Sequence, residues 1–211
     1  MQIRHSIHVQ RLLEVSPSRL EALSDGVFAI VITLLVLELR VPELSSRLAN
    51  DQLLTALVAL LPKLLGYIAS FLMIAIYWVA HHNVFHLLQR CDRICLWLNL
   101  LFLMCLAFIP FPTALLGEYP QTQVAISVYG GVLLANAVTF NMLWLYVQCH
   151  PAMLHEGIRS SIVQTMTKDY LAGLFLYGLA FGMSFLVPII SIALYTVIPV
   201  LFIFFNSRNP V

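Results

Sequence analysis

Apolar residues in this chain come in long unbroken runs rather than in the short alternating patches of a soluble domain. A helix that crosses a bilayer takes about 20 mostly apolar residues. The first run spans 19–40; Ser18 followed three residues on by Glu21 predicts a capping box at its start, and Pro42 stops it. The second begins near Asp51, is interrupted at Pro62-Lys63 and continues to Phe85. The third covers 94–116, with Pro110 and Pro112 near its end, and the fourth covers 122–148. The last stretch, 170–205, has 36 residues. As one helix it would be roughly 54 Å long, too long for a single crossing. Pro188 divides it into two halves of 18, a tight hairpin of two short spans. The pattern therefore predicts an all-α, polytopic membrane protein with six transmembrane helices over 19–206, a cytoplasmic segment 1–18 and a cytoplasmic tail 207–211.

Composition supports lipid as the solvent. The chain is 61% hydrophobic and only 10% charged, against about 25% charged residues in soluble domains. A net charge of +1 gives no reason to expect nucleic acid. With the N-terminus inside, the inner segments carry Arg4, Arg11, Arg19, Arg90, Arg93, Arg159, Lys168 and Arg208, and the outer ones Arg40, Arg47 and Lys63. Eight against three places both termini in the cytoplasm and requires an even number of spans. Cys91, Cys95, Cys105 and Cys149 show no zinc or redox spacing.

The first helix carries an organised stripe. Leu23, Val27, Ile30, Leu34 and Leu37 follow spacings of 4, 3, 4 and 3, a heptad seam suited to packing on another helix or lining a symmetry axis. Thr33 lies about 60° from Ile30, on the shoulder of that seam, and Asp25 lies about 140° away, facing the remaining helices. Ionisable residues inside a membrane need partners. Ser24 and Arg19 lie on the same helix; Trp78, His81, His82 and His86 end the second helix, and Asp92, Arg93 and Asn99 begin the third. These ends meet on one side, so a polar network among them serves either as an inter-helix staple or as a proton or ion path.

The run from Arg19 to Gly26, followed by an apolar stretch, resembles the signature of the transmembrane protein 175 family of potassium channels. That signature is Arg, three residues, then Phe-Ser-Asp-Gly. Arg19, Ser24, Asp25 and Gly26 match it, and Leu23 stands where Phe is usual. The likeness continues in Trp-Val-Ala-His-His-Asn-Val-Phe at 78–85, in Asp92 and Asn99, and in Phe-Ile-Pro-Phe-Pro-Thr at 108–113.

The resemblance implies a six-helix subunit assembled as a homotetramer in membrane lipid, with four first helices around a central pore. In such a pore Ile30 forms the main constriction, Leu34 and Leu37 form further hydrophobic rings, and Thr33 forms a hydroxyl layer that contributes to selectivity. Potassium, with other monovalent cations, is the permeant species, moderately preferred over sodium. Neither cofactor nor enzymatic activity is implied, and the expected location is a prokaryotic plasma membrane. The sequence has no TVGYG-like stretch, so carbonyl-ring selectivity by that motif is not available. The alternatives are a proton- or cation-coupled transporter using Asp25 and His81, and a haem or intramembrane enzyme using His81, His82 and His86.

Overall fold

A computed structural model describes residues 16–42 and 49–206. The expected terminal segments therefore lie outside the described residues, except for 16–18. Among the described residues the chain forms eight α-helices and two short 3-10 turns. They are α1 (Pro17–Leu34), continued by a 3-10 turn (Leu35–Glu38), α2 (Ala49–Ala59), α3 (Leu61–Leu87), α4 (Arg93–Ala107), α5 (Pro110–Glu118), α6 (Gln123–Gln148), α7 (Ser160–Met183) and α8 (Pro188–Asn206). Four segments are long and apolar enough to cross a membrane: Pro17–Glu38, Leu61–Leu87, Arg93–Glu118 and Gln123–Gln148.

Proline places most of the breaks. Its ring clashes with the carbonyl four residues back, so helices tend to break or bend there, although α8 carries Pro199 in its interior. Pro62 separates α2 from α3 at Leu60, and Pro110 separates α4 from α5 at Phe108 and Ile109. At the second break, the amide of Phe108 turns to the carbonyl of Cys105 in a tighter, 3-10-like bond of 3.2 Å. Pro188 opens α8, as the hydropathy division expects. The fifth helix departs from expectation: α7 starts at Ser160 rather than Tyr170 and is 24 residues long, and it is not among the four segments apolar enough to cross a membrane. Its polar first half joins α6, since Trp144 Nε1 donates to Thr167 Oγ1 (2.9 Å) and Asn141 Nδ2 donates to the Tyr170 carbonyl (3.2 Å).

The expected capping box does not form. Pro17 is favoured in the first turn and moves the N-cap back to Ser16, which makes no side-chain cap bond. Glu21 instead reaches His82 of α3, with Oε1 to Nδ1 at 3.0 Å.

A column of aromatic rings forms the core. Phe102 of α4 lies 5.5 Å from Tyr77 of α3, 5.3 Å from Phe140 of α6 and 6.1 Å from Phe28 of α1, centroid to centroid. Phe140 continues the column to Tyr170 of α7 at 5.0 Å. Beyond it, the Tyr195 hydroxyl of α8 sits over Gly130, where a Cβ would lie only 1.8 Å from that oxygen. Glycine is the only residue that permits this approach of α8 to α6. A hydroxyl cluster of Ser70 (α3), Thr113 (α5) and Tyr129 (α6) ties the same region, with Ser70 Oγ 2.8 Å from Thr113 Oγ1 and 2.9 Å from the Tyr129 hydroxyl.

Candidate functional site

The two faces of α1 are treated very differently. Leu20, Ser24, Phe28, Val31 and Leu35 form a continuous stripe that is buried against the rest of the subunit. The heptad seam lies outside it: Leu23 is 50% exposed, Ile30 59%, Leu34 42% and Leu37 67%. Val27 is half-buried at the edge between the two stripes. Within one subunit, then, the seam is an apolar, regularly spaced face with nothing packed on it.

Thr33 stands beside this seam and is also exposed. Its hydroxyl donates back to its own helix, to the carbonyls of Ile30 (2.8 Å) and Ala29 (3.0 Å). A hydroxyl carries one proton and two lone pairs. With the proton turned into the helix, the lone pairs of Oγ1 point away from it, the arrangement a cation requires.

Behind α1 lies a buried chain of hydrogen bonds that joins three helices. His81 Nε2 of α3 is 2.9 Å from Asn99 Oδ1 of α4, Asn99 Nδ2 donates to Ser24 Oγ of α1 (3.0 Å), and Ser24 Oγ donates to the Leu20 carbonyl (2.8 Å). All three side chains are fully enclosed, at 0% exposure. Because the Ser24 proton goes to Leu20, Ser24 accepts from the Asn99 amide. Asn99 Oδ1 therefore accepts from His81, which carries its proton on Nε2. The other ring nitrogen, Nδ1, has no hydrogen-bond partner among the described residues. The imidazole is stacked on Phe85 at 4.2 Å and on Phe102 at 6.1 Å, with the edge of Phe28 at 5.6 Å.

Asp25 takes no part in this chain. Its Oδ1 accepts from Trp78 Nε1 of α3 at 2.9 Å, an inter-helix bond of the kind expected, but Asp25 lies at the subunit surface, so the expectation that it faces into the bundle is corrected. Ser24 takes the inward position because a hydroxyl can be buried once its proton bonds to the helix, whereas a buried carboxylate costs several kcal/mol, at least about 2–3 on insertion scales. The Arg19 guanidinium makes no hydrogen bond or ion pair among the described residues, so the structure does not bring it into the network.

Further contacts join these helix ends, and all but the local cap of Asp92 on α4 span large separations in the sequence. Glu21 and His82 pair across 61 positions. Asp92 caps α4 by accepting from the Cys95 amide (2.8 Å), and it also accepts from the Tyr146 hydroxyl of α6 (2.6 Å). The segment after α3 pairs with the segment before α7, through Gln89 N to the Met153 carbonyl (2.9 Å) and His155 N to the Leu87 carbonyl (3.0 Å). These bonds lock the ends of α1, α3, α4 and α6 together on one side of the bundle.

Comparison with known proteins places this arrangement in a family. The sequence model of the family described as endosomal/lysosomal potassium channel TMEM175 matches residues 19–110. A potassium channel of Chamaesiphon minutus is 42% identical over 187 residues, covering 87% of this chain and 92% of that protein. A potassium channel of Streptomyces collinus is 37% identical over 179 residues, covering 83% and 85%. The human endosomal/lysosomal proton channel TMEM175 is 25% identical over 186 residues, covering 85% of this chain but 36% of its own length. Among solved structures, the crystal structure of the TMEM175 homologue from Chamaesiphon minutus, described as a lysosomal potassium-selective channel homologue, superposes with a TM-score of 0.77 at 41% identity, covering 89% of this chain and 96% of that one. The chain belongs to the TMEM175 family, whose members are membrane-spanning ion channels and not enzymes.

Proposed function

We propose that the chain is one subunit of a potassium-permeable cation channel, in which four copies surround a pore lined by α1. One observation carries the reading: the apolar heptad seam of α1 is left uncovered by its own subunit at Leu23, Ile30, Leu34 and Leu37. The buried stripe, about 100° around the helix from the seam, fixes the rotation of α1 and leaves the seam free to meet its copies in a symmetric assembly. The names of the bacterial relatives, potassium channels, support potassium as the permeant ion.

In that assembly a ring of Ile30 side chains closes the pore by dewetting, with further apolar rings at Leu34 and Leu37. Widening of the four helices wets the constriction without any moving plug. Thr33 supplies outward lone pairs that replace part of the water shell of a passing cation. Potassium sheds that shell more readily than sodium, which gives a moderate preference. The Ser24–Asn99–His81 chain serves as a staple that holds α1 against α3 and α4. In this reading α2 and α3 form one broken crossing and α4 and α5 another, giving six crossings, both termini cytoplasmic and a prokaryotic plasma membrane as the site of action.

The transporter alternative needs Asp25 and His81 on one path. No hydrogen bond joins them: His81 is bonded to Asn99 and Asp25 to Trp78. The deciding experiment is current through the purified protein in a planar bilayer, with potassium on one side and sodium on the other. Unitary currents that reverse toward the potassium potential are expected, and Ile30→Asn should raise sodium and potassium current together. Unchanged currents in Ile30→Asn move the gate elsewhere; proton-coupled flux without unitary steps restores the transporter.

A further inference from the structure

At the end of the bundle opposite the Asp92 clasp, two of the membrane-crossing segments finish, at Glu38 and Glu118, and α3 begins at Leu61. Between them is a cleft of about 260 Å³, open on one side, whose lining includes Glu38, Arg40, Lys63, Tyr67, Leu115 and Glu118. Its position at the ends of these apolar segments puts it at the boundary between hydrocarbon and water. Its walls change in the same sense, from Leu115 and the Tyr67 ring to four charged groups.

Those charges are not equivalent. Lys63 is already spoken for: its ammonium pairs with the Glu118 carboxylate. Its stem lies across Gly117, where a Cβ would come within 3.0 Å of Lys63 Cγ, so the pair is held closed by a close approach of α3 and α5. Arg40 and Glu38, by contrast, have no side-chain hydrogen bond or ion pair among the described residues. Among the described residues the cleft thus offers one cation and one anion without a hydrogen-bond or ion-pair partner, above an apolar wall, with no net charge; the Arg40 charge also acts on the Glu118 carboxylate.

We propose that this cleft binds the headgroup of an aminophospholipid, with the phosphate on the Arg40 guanidinium and the ammonium on the Glu38 carboxylate. A guanidinium fork matches two phosphate oxygens. A headgroup with phosphate alone leaves Glu38 facing an anion, whereas one that also carries an amine satisfies both residues. The volume suits a headgroup rather than a whole lipid; the acyl chains continue outside along the apolar wall, and Tyr67 takes the place usual for aromatic residues at this depth. Because Glu38 ends the 3-10 turn that also carries Leu37, an occupied cleft braces the outer end of α1. Binding itself does not depend on the channel reading.

The test uses the full-length protein in a non-ionic detergent. Short-chain phosphatidylethanolamine, short-chain phosphatidylglycerol and inorganic phosphate are titrated separately while thermal unfolding is followed. Phosphatidylethanolamine should raise the melting temperature at a concentration about tenfold below that needed for phosphatidylglycerol, and phosphate alone should do nothing. Arg40→Gln should weaken the phosphatidylethanolamine response by about tenfold or more, and Glu38→Gln should bring the two lipids level. Both side chains lie at the surface end of the bundle, so each variant without lipid should melt close to the unmodified protein. An equal response to the two lipids in the unmodified protein, a response to phosphate alone, or a full response in Arg40→Gln overturns the proposal.

Discussion

Replacing Asn99 by leucine measures how firmly the buried polar chain holds α1. Leucine keeps the fork at Cγ but offers no donor or acceptor. Two inter-helix hydrogen bonds are lost, His81 Nε2 to Oδ1 and Nδ2 to Ser24 Oγ. Ser24 is little affected, because its own proton still goes to the Leu20 carbonyl. His81 is affected much more: its Nε2–H is left without an acceptor in a site at 0% exposure, while Nδ1 already lacks a partner. Two such bonds contribute about 0.6 kcal/mol each in membrane helices, and an orphaned buried donor costs about 1–3 kcal/mol. Together they predict a loss of about 2–4 kcal/mol.

The double variant His81→Phe/Asn99→Leu isolates the cause. It removes both polar partners, and a phenyl ring at 81 can occupy the same stack between Phe85 and Phe102. Replacing both partners by apolar groups costs far less than orphaning one, so the double variant should be more stable than Asn99→Leu alone. The assay is unfolding in mixed micelles with increasing denaturing detergent, followed by intrinsic fluorescence. If Asn99→Leu lies within about 0.5 kcal/mol of the unmodified protein, or if the double variant is no more stable than Asn99→Leu, the chain is not the staple described.

Thr33→Val should leave unfolding unchanged, since the hydroxyl bonds only to its own helix; in bilayer recordings it should reduce the preference for potassium over sodium. Gly130→Ala should destabilise by about 1–3 kcal/mol in the same unfolding assay, because its Cβ would fall 1.8 Å from the Tyr195 hydroxyl, which is 2% exposed and bonded to the Ala180 carbonyl.

Much of the helical pattern can be read from hydropathy and proline alone, because lipid leaves a backbone few choices. Pro62, Pro110 and Pro188 mark real breaks, each through the same clash with the preceding turn. The start of α7 was not legible. Gln164, Thr167, Lys168 and Asp169 lower the local hydropathy, yet the helix continues because the Thr167 hydroxyl is satisfied by acceptors at Gln148 Oε1 and the Val163 carbonyl and accepts from Trp144. Such compensation depends on which helix lies alongside, and a hydropathy window carries no information about that. The same reason explains Glu21. Its spacing from Ser18 is that of a capping box, but Pro17 sets the start of the helix and a histidine 61 positions away takes the carboxylate.

The most instructive misreading concerns Ser24 and Asp25, because it shows what sets the rotation of α1. Neighbouring residues on a helix point about 100° apart, so only one of the two can face the bundle. Charge makes Asp25 the more conspicuous residue, and conspicuousness suggests a buried partner. The energetics run the other way. A buried carboxylate needs several hydrogen bonds to offset its desolvation, and the inward site offers one amide, already shared with His81. A buried serine needs only its own helix and that amide, and it has both. The register that buries Ser24 leaves Asp25 at the surface, within reach of Trp78. The same register also turns Phe28, Val31 and Leu35 inward and leaves Ile30, Leu34 and Leu37 outside. Under the proposed assembly the serine of the signature, through Asn99 and His81, thus decides which apolar stripe the four subunits share.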